Sequence, residues 1–210
     1  MHTPPTSPGP AWGHPACQDD DALLAQCGLN KSRSRGPGGQ HRNKVETGVE
    51  LDHTPTGVTA HATEHRSVSD NKRVALRRLR LALAVGVRAP VPEGEIGSAL
   101  WRSRVRGAVR EPAPNADPVL KALGVKLRSD EDRERGRGPG RIVVNPEHHD
   151  YPALLAEALD VIAAAGWDVK AAALRLGVSA SQLVKLVKDH PAAFVRLNQE
   201  RERIGAHPYK

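Results

Sequence analysis

The clearest alternation of apolar and polar positions runs from Lys44 to His53. Val45, Thr47, Val49 and Leu51 would share one face of a strand, with Glu46, Gly48, Glu50 and Asp52 on the other. The HTPTG turn at 53–57 follows, and Val58, Ala60 and Ala62 then alternate again. This pattern predicts a β-hairpin. The period then changes to that of a helix. Leu76, Leu79 and Leu83 recur at helical spacing, while Arg73, Arg77 and Arg80 recur on a neighbouring face. An amphipathic helix is predicted there, capped by Ser69 or Asp70, packed on the hairpin and carrying a basic ridge. Ahead of the hairpin, DDDALLAQ predicts a short helix with its acidic residues at the positive end of the helix dipole.

Helical periodicity returns at Tyr151. PALLAEALDVIAAAG predicts a helix with proline in its first turn and Gly166 at its end. DVKAAALRLG predicts a second, closed by Gly177, and VSASQLVKLVKDH a third, where Ser179 and Gln182 fit a capping box. A last helix is expected from Ala192 to Ile204. The small-residue helix, glycine turn and following helix have the layout of a helix-turn-helix. Residues 1–18, rich in Pro, Gly and Ser, are expected to be a disordered tail. Residues 88–150 read as a basic, largely irregular linker, with a short helix at DPVLKALGVKLR and one apolar anchor, Trp101. The expected fold is α+β: a small mixed or antiparallel sheet with a packed helix over residues 19–87, the linker, then a small all-α domain over 151–210.

Charge sharpens this outline. The 210 residues carry a formal net charge of +7, and the excess is local. Residues 1–71 hold 6 Lys/Arg against 8 Asp/Glu, residues 72–141 hold 17 against 8, and the rest hold 8 against 8. A concentrated basic stretch favours a polyanionic partner, usually nucleic acid. Aromatic residues make up only 3%, so the core must rest on Leu, Val and Ala. Cys17 and Cys27 form no CxxC pair, and with His14 they do not make a zinc set, so two reduced thiols and no metal are expected. No apolar run reaches membrane-spanning length and the start lacks a secretory pattern, so the expected location is the cytoplasm.

The candidate chemistry lies in SRSRGPGGQHRNK, residues 32–44. Gly38 and Gly39 let the backbone approach another surface closely. Gln40 offers an amide that donates and accepts but cannot act as a base. Arg33, Arg35, Arg42 and Lys44 surround it. No nucleophile and base are built in, so such a tip would work by aiming N–H groups and water at a developing oxyanion.

Three separated motifs, SRSRGPGGQHRNK, HTPTG and EHRSVSDNKRVAL, resemble in order and spacing the catalytic GGQ domain of class I peptide-chain release factors. The resemblance covers roughly residues 20–86. Val68 stands where that family often has glutamine. The resemblance implies hydrolysis of the ester between a nascent peptide and a P-site tRNA, without a cofactor. The tip would enter the peptidyl-transferase centre of the large ribosomal subunit. Gly38, Gly39 and Gln40 take the catalytic positions, with the Gln40 N–H stabilising the reaction and its side chain placing water. Decoding members carry a codon-reading domain before the GGQ domain, but only about 35 residues precede the tip here. The layout is therefore similar to codon-independent, ArfB-like ribosome-rescue hydrolases, although their basic tail is terminal and the basic stretch here is internal.

Ribosomal RNA contacts are expected from Arg33, Arg35, Arg42, Lys44, Arg73, Arg77, Arg80, Arg102, Arg104 and Arg106. The substrate is either a stalled whole ribosome or a separated large subunit still holding peptidyl-tRNA, and the protein is expected to be a monomer. Two alternatives stay open. One is a non-enzymatic helix-turn-helix protein contacting nucleic acid through Gln182, Lys185 and Lys188. The other is a scaffold whose GGQ loop is inactive.

Overall fold

A computed structural model of the chain describes residues 13–32, 46–92, 97–106 and 140–210. In chain order the elements are a 3-10 turn (Pro15–Cys17), α1 (Asp20–Ala25), β1 (Cys27–Ser32), β2 (Gly48–His53), β3 (Val58–Ala62), α2 (Val68–Gly86), α3 (Ala99–Arg104), β4 (Val105–Arg106), β5 (Arg141–Ile142), α4 (Tyr151–Ala164), α5 (Val169–Arg175), α6 (Ala180–Lys188) and α7 (Pro191–Arg203). β1, β2 and β3 form an antiparallel sheet in that order, and β4 and β5 a two-stranded ribbon. The α+β class is as the sequence predicts.

The alternation read at 44–53 places Val49 and Leu51 inward, and Ala60 and Ala62 follow on β3. α2 covers that apolar face with Ala75, Leu76, Leu79 and Leu83. Each leucine so buried contributes about 1.5–3 kcal/mol. The helix begins earlier than predicted: Ser67, not Ser69 or Asp70, is the N-cap, and its Oγ accepts from the Asp70 N–H. β1 was not foreseen. Five of its six residues are exposed, so it shows none of the alternation that betrays a half-buried strand.

The face of α2 turned away from the sheet packs on α4. α4 is apolar nearly all round, with Leu154, Leu155, Ala158, Leu159, Val161 and Ile162 buried. A helix of that kind belongs inside a core, not on a surface. The buried side chains accordingly form one continuous cluster from Val49 and Leu51, through Leu79 and Leu83, to Leu155, Leu183 and Leu197.

Two expectations from composition are corrected. Residues 13–18, placed in a disordered tail, form the 3-10 turn that packs on α2 and α4, with His14 and Ala16 fully buried. Parts of the 88–150 linker are also ordered. Trp101 on α3 is buried, and its Nε1–H donates to the Leu176 carbonyl at 3.0 Å. The helix suggested at DPVLKALGVKLR lies outside the described residues. The three helices expected after residue 150 are present, and α7 begins at Pro191, one residue before the expected start at Ala192. Gly177, at φ 67°, occupies the left-handed region that ends α5 and turns the chain into α6.

Candidate functional site

The GPGGQ segment belongs to the connection between β1 and β2. Gly38, Gly39 and Gln40, with Arg33, Arg35, Arg42 and Lys44, lie outside the described residues. The root of that connection is described. Ser32 and Gly48 form the last register pair of the two strands, so the connection leaves from and returns to adjacent backbone positions. Gly48 is required there by packing. A Cβ at that position would collide with Ser32 Oγ, lie 2.9 Å from the Ser32 carbonyl oxygen and 3.0 Å from Thr63 Cγ2.

Asn71 is the second device at the root, one that no sequence pattern singles out. It sits in the first turn of α2 and is fully buried. Its Nδ2 donates to the Thr47 carbonyl at 2.7 Å and to the His65 carbonyl at 2.8 Å, while its Oδ1 accepts from the His65 N–H at 2.9 Å. One amide thus ties the returning end of the β1–β2 connection to the loop before α2. Glu64 in that loop pairs with Arg78 at 2.6 Å, and Arg78 also donates to the His61 carbonyl. The Arg78 hydrogen bond holds the Glu64 carboxyl below its ordinary range. Asn71→Ala would remove this partner from the Thr47 and His65 carbonyls and the His65 N–H, and is expected to cost about 1–2 kcal/mol. Urea unfolding checks this, and a variant as stable as the parent would show that the staple carries no weight.

The basic ridge of α2 is present as a sequence repeat but not as a uniform solvent face. Arg73 is exposed and pairs with neighbouring Asp70. Arg77 donates to the Pro146 and Glu147 carbonyls and pairs with Glu147. Arg80 donates to the Ala16 carbonyl at 2.8 Å and pairs with Asp20 at 2.7 Å. Two of the three arginines therefore fasten other parts of the chain to α2. Arg104 is similarly engaged with Asp150, whereas Arg102 and Arg106 are exposed. On α6, Lys185 is exposed, Gln182 is half-buried, and Lys188 donates to the Lys210 carbonyl and lies over the Phe194 ring.

A buried polar cluster joins the 3-10 turn, α2 and α4. His14 Nδ1 accepts from the Ala16 N–H, which leaves Nε2–H to donate to the Val87 carbonyl at 3.2 Å. Arg88 pairs with fully buried Asp160 at 2.9 Å, and Asp160 also accepts from the Ala89 N–H. Glu157 accepts from the Ser98 N–H and Oγ–H at 2.6 and 2.7 Å. Burial pushes the Cys17 thiol up to about 12, so it is no nucleophile near neutrality.

Burial also lowers His14 below its ordinary 6.5, and lowers His53 and His190. The unfolded chain takes up these protons first as pH falls below about 6.5, so stability is lost on acidification. Glu157 acts in the opposite sense. Burial raises its carboxyl, so its contribution is full below 4.5 and is lost as pH rises through the raised value. Urea midpoints are expected to fall from pH 7 to about pH 5.5, and His14→Gln should flatten the slope. An unchanged slope in that variant would remove His14 from the account.

His148, His149 and Asp150 bring ligand atoms within 4.8 Å of one another. The Arg104 guanidinium already binds Asp150 and approaches His148 Nε2, and His148 Nδ1 accepts the Asp150 N–H. A cation is thus built into that cluster from the chain itself. No helix among the described residues is long and apolar enough to cross a membrane.

Comparison with known proteins places this geometry. Residues 25–93 match the RF-1 domain family model. Those residues run from the end of α1 to just past α2, and they include the GGQ tripeptide, the paired root and Asn71. The chloroplastic peptide chain release factor PrfB1 of Arabidopsis thaliana is 39% identical over 90 residues, which is 40% of this chain and 20% of that protein. Peptide chain release factor 1 of Frankia casuarinae is 31% identical over 150 residues, 67% of this chain and 36% of that protein. Mitochondrial peptide chain release factor 1 of Homo sapiens is 45% identical over 55 residues, 26% of this chain and 12% of that protein. The chain therefore spans well under half the length of these relatives. Within that span, the sheet, α2 and the connection between Ser32 and Gly48 fall in the stretch that matches the RF-1 domain, the GGQ domain of class I release factors.

Proposed function

We propose that this protein hydrolyses the peptidyl-tRNA ester on the ribosome without reading a codon. The observation that carries the reading is the position of Gly38-Gly39-Gln40. They fall inside the RF-1 match, in the connection whose two ends are locked together at Ser32 and Gly48. The tripeptide carries no acid or base of its own, so its chemistry would depend on placed donors. The Gln40 N–H would donate to the developing oxyanion and its side-chain amide would place the attacking water. Ribosomal RNA of the peptidyl-transferase centre would complete the site. Arg33, Arg35, Arg42 and Lys44 would neutralise phosphates beside it.

Two features support the codon-independent form. Residues 13–26, directly ahead of β1, are spent on the 3-10 turn, which packs against α2 and α4, and on α1, which packs against β1. The helices after residue 150 share that same core. Among the described residues, both regions are committed to the core that they share with α2. The substrate is a stalled ribosome or a separated large subunit that retains peptidyl-tRNA. The test is release of labelled peptide from non-stop ribosomes and, in parallel, from large subunits carrying peptidyl-tRNA. Release from either supports the reading and identifies the particle; release from neither would end it.

A further inference from the structure

The α3–β4 segment and β5 hold two arginines in an arrangement that the fold alone does not explain. In the ribbon, Val105 lies opposite Ile142, and Arg106 lies opposite Arg141. Residues directly opposite each other on an antiparallel pair project to one face. Val105 and Ile142 turn inward, half-buried and buried, so Arg106 and Arg141 turn outward, and both are exposed. Like charges at directly opposed positions weaken a ribbon. Arg77, Arg80, Arg88 and Arg104 each meet a carbonyl or a carboxylate. Arg106 and Arg141 have no such partner among the described residues.

The ribbon is nevertheless braced. The Arg104 carbonyl accepts from the Val143 N–H at 3.0 Å, and Gly140 N–H donates to the Gly177 carbonyl at 2.8 Å. Trp101 anchors the preceding helix to Leu176. Two arginines therefore occupy directly opposed positions on one exposed face of a short element fixed to the α5–α6 turn. An anion between them would remove the repulsion and accept hydrogen bonds from both forks.

We propose that the Arg106–Arg141 pair is a phosphate clamp for an RNA backbone, through which the protein docks on ribosomal RNA away from the GGQ tip. The proposal rests on the ribosomal reading above and names a contact for it. Arg141 is a new residue in that role. Phosphate contacts of this kind fix position and carry no sequence information. They leave a signature in salt dependence, because each neutralised phosphate releases counterions.

The decisive variant is Arg106→Glu in the full chain. It sets a carboxylate opposite Arg141, so repulsion in the ribbon becomes attraction. Its melting temperature is expected to equal or exceed that of the parent. Its affinity for purified ribosomes, read by co-sedimentation across a KCl series, is expected to fall at least ~10-fold, with a log–log salt slope shallower by about 2. Arg141→Gln, which leaves a single arginine, should flatten the slope by about 1. Unchanged affinity and slope in both variants would overturn the clamp. So would equal binding of the parent to anionic phospholipid vesicles that is lost in the same variants. A parent that releases peptide while both variants bind normally would sink the clamp alone. A parent that binds through the clamp but releases no peptide would uphold the clamp and refute the hydrolase reading.

Discussion

Gln40→Ala is expected to slow peptide release by about 10²-fold or more while ribosome binding persists. The reason lies in what the tip lacks. Neither Gln40 nor its neighbours supply a nucleophile with a base, so the tip can only lower the barrier through placed donors and a placed water. Removing one preorganised donor of this type typically costs about 2.7–4 kcal/mol of transition-state stabilisation. The alanine variant loses the side-chain amide and keeps the backbone N–H. Gly39→Ala keeps both but restricts the backbone that aims them, and should also lose release. Gln40→Pro deletes the N–H itself and is expected to be the most damaging of the three. Single-turnover release beside co-sedimentation separates the chemical step from docking. A Gln40→Ala variant that releases at the parental rate would show that the side chain does not place the water.

The second large effect concerns the joint between the RF-1 domain and the helices that follow. Arg88 leaves the end of α2 and pairs with Asp160, whose side chain has no solvent exposure. Its other nitrogen donates to the Ala84 and Val85 carbonyls, so it also closes the end of α2. Arg88→Ala would remove the guanidinium from the Asp160 carboxylate inside the core, where Asp160 also accepts from the Ala89 N–H. Breaking one side of a buried pair costs about 3–5 kcal/mol, and the partial exposure of Arg88 argues for the lower end. Urea unfolding should show a loss of about 3 kcal/mol, and Arg88→Met with Asp160→Leu should recover most of it. A loss under ~0.5 kcal/mol, the scale of an ordinary surface change, would contradict a buried role for this pair.

The parts of the fold visible in the sequence are those where one residue pattern answers to one local environment. Val49, Leu51, Ala60 and Ala62 alternate because one face of the hairpin meets α2. Leu76, Leu79 and Leu83 recur because α2 has a buried face. β1 escaped notice because an exposed edge strand needs no alternation. The 3-10 turn escaped because Pro and Gly composition cannot report that His14 would find the Val87 carbonyl 73 residues away. The same limit applies to the arginines. Spacing gives a ridge at Arg73, Arg77 and Arg80, yet the partners that occupy Arg77 and Arg80 are distant backbone carbonyls. At the candidate site the three GGQ-domain motifs were legible as a resemblance. The Asn71 staple was not, since it depends on Thr47 and His65 arriving on either side of one amide.

The central claim is that a GGQ tip on a locked root cleaves peptidyl-tRNA without a codon being read. The most direct measurement compares release by the unaltered protein from three sets of ribosomes with the same P-site peptidyl-tRNA. One set has no mRNA beyond the P site, one presents a sense codon and one a stop codon. The account predicts release with an empty A site that is at least as fast as release at the stop codon. Release confined to the stop codon would contradict it.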